Sequence, residues 1–147
     1  MQTIYSKLLK LFETKDRTEK EIKDYLLKSG VSDSDIAFFI SKLKNQKILN
    51  EQRLVENFIR SKRENYFWGE FKISSSLVDL GVPTQLIQSE LLKISKEDWK
   101  IQLNHYINKK KFSKNNTKEI KKMITHLYQK GYSEDLINSI VQIPYEE

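Results

Sequence analysis

The chain has 147 residues, 38% hydrophobic and 31% charged, with a formal net charge of +6 and no cysteine. That length and composition suit one domain or a short array of similar units with a real core, and exclude disulfides, thiolate metal sites and a disordered chain. Four glycines and two prolines are too few for the turns of an all-β fold, while Lys, Glu, Ile and Leu favour helix.

In chain order, MQTIYSKLLK lacks the apolar core of a signal peptide, and no apolar run reaches the ~20 residues of a membrane span, so the expectation is a cytoplasmic protein without membrane contact. Ile4, Leu8, Leu11 and Phe12 fall at helical spacing and predict a first helix. Thr18 and Glu21 form a capping box that opens a second helix, which stops at Gly30. Ser32 caps a third, with the stripe Ile36, Phe39, Ile40 and Leu43. A fourth helix over 51–64 pairs Leu54 with Phe58 and Val55 with Ile59. It runs into KRENYFWGEFKI, where Phe67 or Trp68 is expected to plug the gap between helices and Gly69 to free the backbone to turn. The next helix stops at Gly81, and Pro83 suits the first turn of its successor. Trp99, Leu103, Tyr106 and Ile107 mark a seventh helix, and Ile120, Met123, Ile124 and Leu127 an eighth that stops at Gly131. Ser133 caps the ninth.

Gly30, Gly81 and Gly131 lie 51 and 50 residues apart. Aligned on them, Ile22, Ile73 and Met123 coincide, as do Leu26, Leu77 and Leu127, then Val31, Val82 and Tyr132, then Ile36, Ile87 and Ile137. A helix that ends in a Schellman turn needs positive φ at this position, which glycine adopts without steric cost. The expected fold is therefore all-α: three tandem three-helix repeats, 1–48, 49–95 and 96–147, forming one domain shaped as an elongated, curved array.

Enzymatic constellations are thin, so no enzyme, cofactor or metal site is expected. The two histidines are His105 and His126, and His126 aligns with Tyr25 and Ser76 as a variable face position. No metalloprotease or phosphate-loop motif occurs. Acids such as Glu19, Asp33 and Glu97 sit at helix starts, where they complement the macrodipole. The helix–Gly–helix joints are similar to DNA-binding helix-turn-helix units, but acidic starts after Gly30 and Gly131 disfavour base readout.

Basic groups carry more information. Of four arginines, Arg53, Arg60 and Arg63 lie on one predicted helix, and Lys72 opens the next. Lys109, Lys110 and Lys111 begin the densest basic run. Guanidinium groups suit bidentate contact with phosphate or carboxylate, so Arg53, Arg60, Arg63 and Lys72 are the candidate central contacts with a polyanionic partner, and the three lysines are candidates for steering.

The ordered pattern resembles the bacterial regulatory protein RecX family. It comprises Glu51, Arg53-Leu54-Val55, Phe58-Ile59-Arg60, Arg63, Gly69, Lys72-Ile73, Leu77 and Gly81-Val82 in the centre. Arg17, Glu21-Ile22, Leu26 and Gly30 precede it, and Lys110-Lys111 and Gly131-Tyr132 follow. Leu54 and Val55 stand where the family has Phe-Ala, and Trp68-Gly69 where many members have two glycines. The resemblance implies a non-enzymatic modulator of the RecA recombinase. Such a protein lies in the groove of the RecA–single-stranded DNA filament and limits filament growth, strand exchange, ATP hydrolysis and co-protease activity. The implied partners are that filament and single-stranded DNA, met directly or through the filament by a monomer. The competing readings are an autonomous basic DNA-binding protein and a helical-repeat interaction scaffold.

Overall fold

The structure, a computed structural model, describes residues 3–142; the outermost residues of the first and third expected repeats lie outside that range. Among the described residues there are nine helices and no strand. They are α1 (Ile4–Leu11), α2 (Glu19–Lys28), α3 (Asp33–Asn45), α4 (Glu51–Tyr66), α5 (Glu70–Asp79), α6 (Thr84–Leu91), α7 (Lys96–Lys110), α8 (Thr117–Gln129) and α9 (Glu134–Ile140).

Local chemistry sets most of these boundaries. Thr18 accepts from the Glu21 amide while the Glu21 carboxylate accepts from the Thr18 amide at 3.1 Å, completing the capping box of α2. The Thr18 hydroxyl also donates to the Leu80 carbonyl at 2.8 Å, so this fully buried threonine is satisfied twice. Ser32, Ser95 and Ser133 cap α3, α7 and α9 through their side-chain oxygens.

The three repeat glycines close their helices in the same way. Gly30, Gly81 and Gly131 have φ of 79°, 88° and 102°. The amides of Val31, Val82 and Tyr132 donate back to the carbonyls of Leu26, Leu77 and Leu127 at 3.1, 3.1 and 3.3 Å. The glycine amides themselves donate to Leu27, Val78 and Tyr128. That double bond pattern is the Schellman motif, and it recurs in each helix triplet.

The chain divides into two compact units. Unit 1 holds Met1–Asn57 with Leu77–Ile87, and unit 2 holds Phe58–Ser76 with Gln88–Glu147. The core of unit 1 is built on Leu8, Ile22, Leu26, Ile36, Ile40, Leu43 and Leu49, the apolar stripes of α1 to α3 and the turn after them. In unit 2 Leu103, Tyr106, Ile107, Met123, Ile124, Leu127, Tyr132, Ile137 and Val141 form the core, with Phe67 and Phe112 packed against it. Each buried Leu, Ile or Met contributes about 1.5–3 kcal/mol by leaving water.

Candidate basic and aromatic interface

The turn between α4 and α5 is built differently from the simple glycine hinge that the sequence suggests. Phe67, not Gly69, takes the left-handed conformation, with φ of 56°. Trp68 then returns its amide to the Lys62 carbonyl at 3.1 Å, which closes α4. Gly69 is needed for a close approach. A Cβ at this position would lie 2.4 Å from the carbonyl carbon of Gly131 and 2.5 Å from the amide nitrogen of Tyr132. Two backbone bonds hold the strands of chain together there: the Gly69 amide donates to Lys130 at 2.7 Å and the Phe71 amide to Gly131 at 2.9 Å.

A polar clamp fixes the turn from the other side. The buried Tyr132 hydroxyl donates to the Phe67 carbonyl at 2.5 Å and accepts from Gln102 Nε2 at 2.9 Å. Gln102 Nε2 also donates to the Trp68 carbonyl at 2.9 Å, and Gln102 Oε1 accepts from Arg63 Nε at 2.8 Å. The Arg63 guanidinium lies 4.8 Å above the Trp99 ring. Burial pushes the Tyr132 hydroxyl up to about 12, so it remains a donor across the neutral range. Tyr132→Phe leaves the Phe67 carbonyl without that donor and is expected to cost about 1–3 kcal/mol, measured as a lowered urea midpoint.

Around this turn, lysines sit on aromatic faces. Lys62 Nζ lies 4.7 Å from the Tyr66 ring centroid and 4.8 Å from that of Trp68. Lys72 Nζ lies 4.6 Å from the Trp68 centroid, so this indole carries two ammonium groups. Lys109 approaches Phe67 at 5.0 Å, and Lys110 and Lys130 approach Tyr106 at 5.9 and 5.1 Å. A cation over a ring face gains attraction without losing its charge. Among the described residues none of Lys62, Lys72, Lys109, Lys110 and Lys130 makes an ion pair with a carboxylate. The positive potential of this face is therefore not cancelled locally.

The structure also shows what each sequence candidate does. In unit 1 Arg53 makes a two-pronged contact with Asp16, at 2.7 and 3.2 Å, and donates to the carbonyls of Lys47 and Ile48 at 3.2 and 3.0 Å. The Asp16 bond favours its charged form. Arg60 is exposed on α4, and Arg63 is half-buried in the clamp. Lys72, Lys109 and Lys110 join the lysine group on the rings, while Lys111 is exposed and ends α7 at φ of 52°. Gly30, Gly81 and Gly131 hold the helix ends, and Trp68 with Gly69 holds the turn.

Sequence reasoning passed over Lys62, Gln102, Lys130 and the full part of Tyr132. His126, read as a variable face position, is in fact built in: its ring stacks on Tyr106 at 5.8 Å and 10°, and its Nε2 lies 2.5 Å from the Tyr106 hydroxyl. The aromatic residues Phe67 and Tyr106 were legible as core; their proximity to Lys109 and Lys130 on other helices was not.

No family model matches the sequence. Among curated proteins, the regulatory protein RecX of Oceanobacillus iheyensis is 33% identical over 129 residues, 86% of this chain. The regulatory protein RecX of Clostridium perfringens (strain SM101 / Type A) is 30% identical over 139 residues, 91% of this chain. The crystal structure of RecX from Lactobacillus salivarius superposes with a TM-score of 0.80 at 21% identity, covering 94% of this chain and 92% of that one. The chain belongs to the RecX family. Its all-helical order of three successive triplets agrees with the RecX fold. It spans 47% and 65% of the lengths of the two curated RecX relatives. At the turn, Trp68 stands before Gly69 and serves as the ring beneath Lys62 and Lys72.

Proposed function

We propose that this chain is a non-enzymatic modulator of a RecA-type recombinase, acting as a monomer in the cytoplasm. It binds the RecA–single-stranded DNA filament in its groove and limits filament growth, strand exchange and co-protease activity. The three repeats act together as one RecX-like domain. Kinship with curated RecX proteins supports the regulatory role, and one observation carries the mode of binding. Five lysines of unit 2 stand on aromatic rings with no carboxylate partner among the described residues. A surface of cations held in place on rings attracts phosphate oxygens and acidic protein patches.

Direct contact comes from Lys62, Lys72, Lys109, Lys110 and Lys130, with the exposed Arg60 and Lys111 as steering charges. Arg63 acts through the turn, which it braces via Gln102. Arg53 acts through unit 1, where its donors meet Asp16 and two carbonyls. The recombinase's DNA-dependent ATPase tests the reading. Substoichiometric protein is expected to lower it, and the effect to weaken steeply between about 50 and 200 mM salt, as charge-driven contacts with phosphates do.

The autonomous DNA-binding alternative has its own supporting feature, a shallow groove on α8 lined by Lys118, Lys121, Lys122 and His126. It predicts equal affinity for naked strand and filament. Preference for the filament contradicts it.

A further inference from the structure

Three lysines of unit 2 gather near a histidine. His126 on α8 stacks on the Tyr106 ring, over which Lys110 of α7 and Lys130, the cap of α8, lie at 5.9 and 5.1 Å, while Lys72 of α5 packs against Gly131, next in the chain to Lys130. Lys122, one turn earlier on α8, is 3.9 Å from Glu119, and no carboxylate faces the imidazole among the groups that act on it. Lys130 is anchored by donating to the Tyr66 carbonyl at 2.7 Å. Its backbone carbonyl takes the Gly69 amide at 2.7 Å, so both ends of this residue are fixed. Lys72 is packed against Gly131, where a methyl group would meet its Cβ at 2.5 Å. The cations are thus held together by the fold despite their repulsion.

We propose that Lys72, Lys110, Lys130 and His126 form a phosphate site, and that a phosphate seated there is bound together with a proton on His126. The inference rests on the reading of this face as the one that meets a polyanion, and adds to it a specific seat and a pH dependence.

In the free protein the surroundings bias the imidazole toward its neutral form. Burial first, then Lys130, Lys110 and Lys72, hold His126 below its usual range near 6.5. Lys130 is likewise lowered, by burial and then by Lys72 and Lys110. A phosphate oxygen among these groups makes the local potential less positive, which raises both. The bound state then carries a proton on His126 that the free state lacks near neutral pH, so affinity rises as pH falls through that interval. The Tyr106 hydroxyl lets the ring keep its place throughout. It donates to Nε2 of the neutral imidazole and accepts from Nε2–H of the imidazolium. The proton comes from solvent, and no bond other than this hydrogen bond changes its direction.

The test is a pH titration of the His105 and His126 ring resonances by NMR, at one ionic strength set with chloride. It is run alone, with sulfate, and with a short oligothymidylate, neither of which titrates between about pH 5.5 and 7.5. His105, exposed and stacked on Phe67 at 5.5 Å, is the internal control. The His126 midpoint is expected to rise by about one unit with the oligonucleotide, matched by about tenfold tighter binding at the acid end than at the alkaline end. His126→Gln should flatten that ratio. A rise with sulfate too assigns a general oxyanion seat, and a rise with the oligonucleotide alone assigns a strand phosphodiester; both support the proposal. An unmoved His126, an equal movement of His105, or a tenfold ratio that persists in His126→Gln overturns it. None of these outcomes depends on the recombinase. An unmoved His126 in a protein that inhibits the ATPase would sink this inference and leave the function, whereas a shifted His126 without ATPase inhibition would do the reverse.

Discussion

Gly69→Ala is expected to destabilise the protein by about 3 kcal/mol or more, whereas Gly30→Ala should cost only about 1–2 kcal/mol. Both are glycines at helix junctions, and a repeat alignment alone would rank Gly30 as the more constrained. The space around them decides otherwise. At Gly30 a methyl group meets nothing within 4 Å, so the penalty is the left-handed conformation at φ of 79° and little else. At Gly69 it would meet Gly131 and Tyr132 backbone atoms at 2.4 to 2.6 Å. Those atoms cannot withdraw without breaking the Gly69–Lys130 and Phe71–Gly131 hydrogen bonds. Separation of the two segments would also pull Tyr132 away from Phe67 and Gln102 away from Trp68. Urea unfolding of both variants measures the difference. Equal losses at the two glycines would mean that the close approach in unit 2 contributes nothing.

The second large effect concerns binding. Lys109→Glu combined with Lys110→Glu is expected to weaken affinity for the recombinase filament by at least about tenfold at low salt, and to make the salt dependence shallower. Both side chains are exposed at the end of α7, over Phe67 and Tyr106, and neither holds a hydrogen bond that the fold needs. The variant should therefore unfold at a urea concentration close to wild type. Anisotropy of a labelled strand inside preformed filaments reads the affinity. Unchanged binding, with the fold intact, would remove this face from the contact.

Some of this was open to sequence reasoning because the controlling physics is local. A positive φ after a helical stripe, a capping box and a serine before an apolar run all act within a few residues, and Gly30, Thr18 with Glu21, and Ser133 were readable for that reason. The apolar spacing likewise foretold that Leu103, Tyr106 and Ile107 would be buried together. What escaped was set by pairings distant along the chain. Gly69 meets Gly131 across 62 residues, and a glycine needed for close approach looks the same in sequence as one needed for a turn. Arg53 finds Asp16 37 residues away, a partner that no helical spacing suggests. Lys130 stood alone in sequence and was passed over in favour of denser runs, yet the fold brings it onto Tyr106 beside Lys110. Density of charge along the chain was a poor guide to density of charge on a face.

The measurement that bears most directly on the central claim is the ATPase of a RecA-type recombinase on single-stranded DNA, recorded while this protein is titrated in at low salt. The account predicts inhibition at protein concentrations well below those of recombinase and free DNA sites, relieved as salt rises through about 50–200 mM and reduced for the Lys109/Lys110 double variant. An ATPase that stays unchanged while the protein binds naked DNA tightly would contradict it.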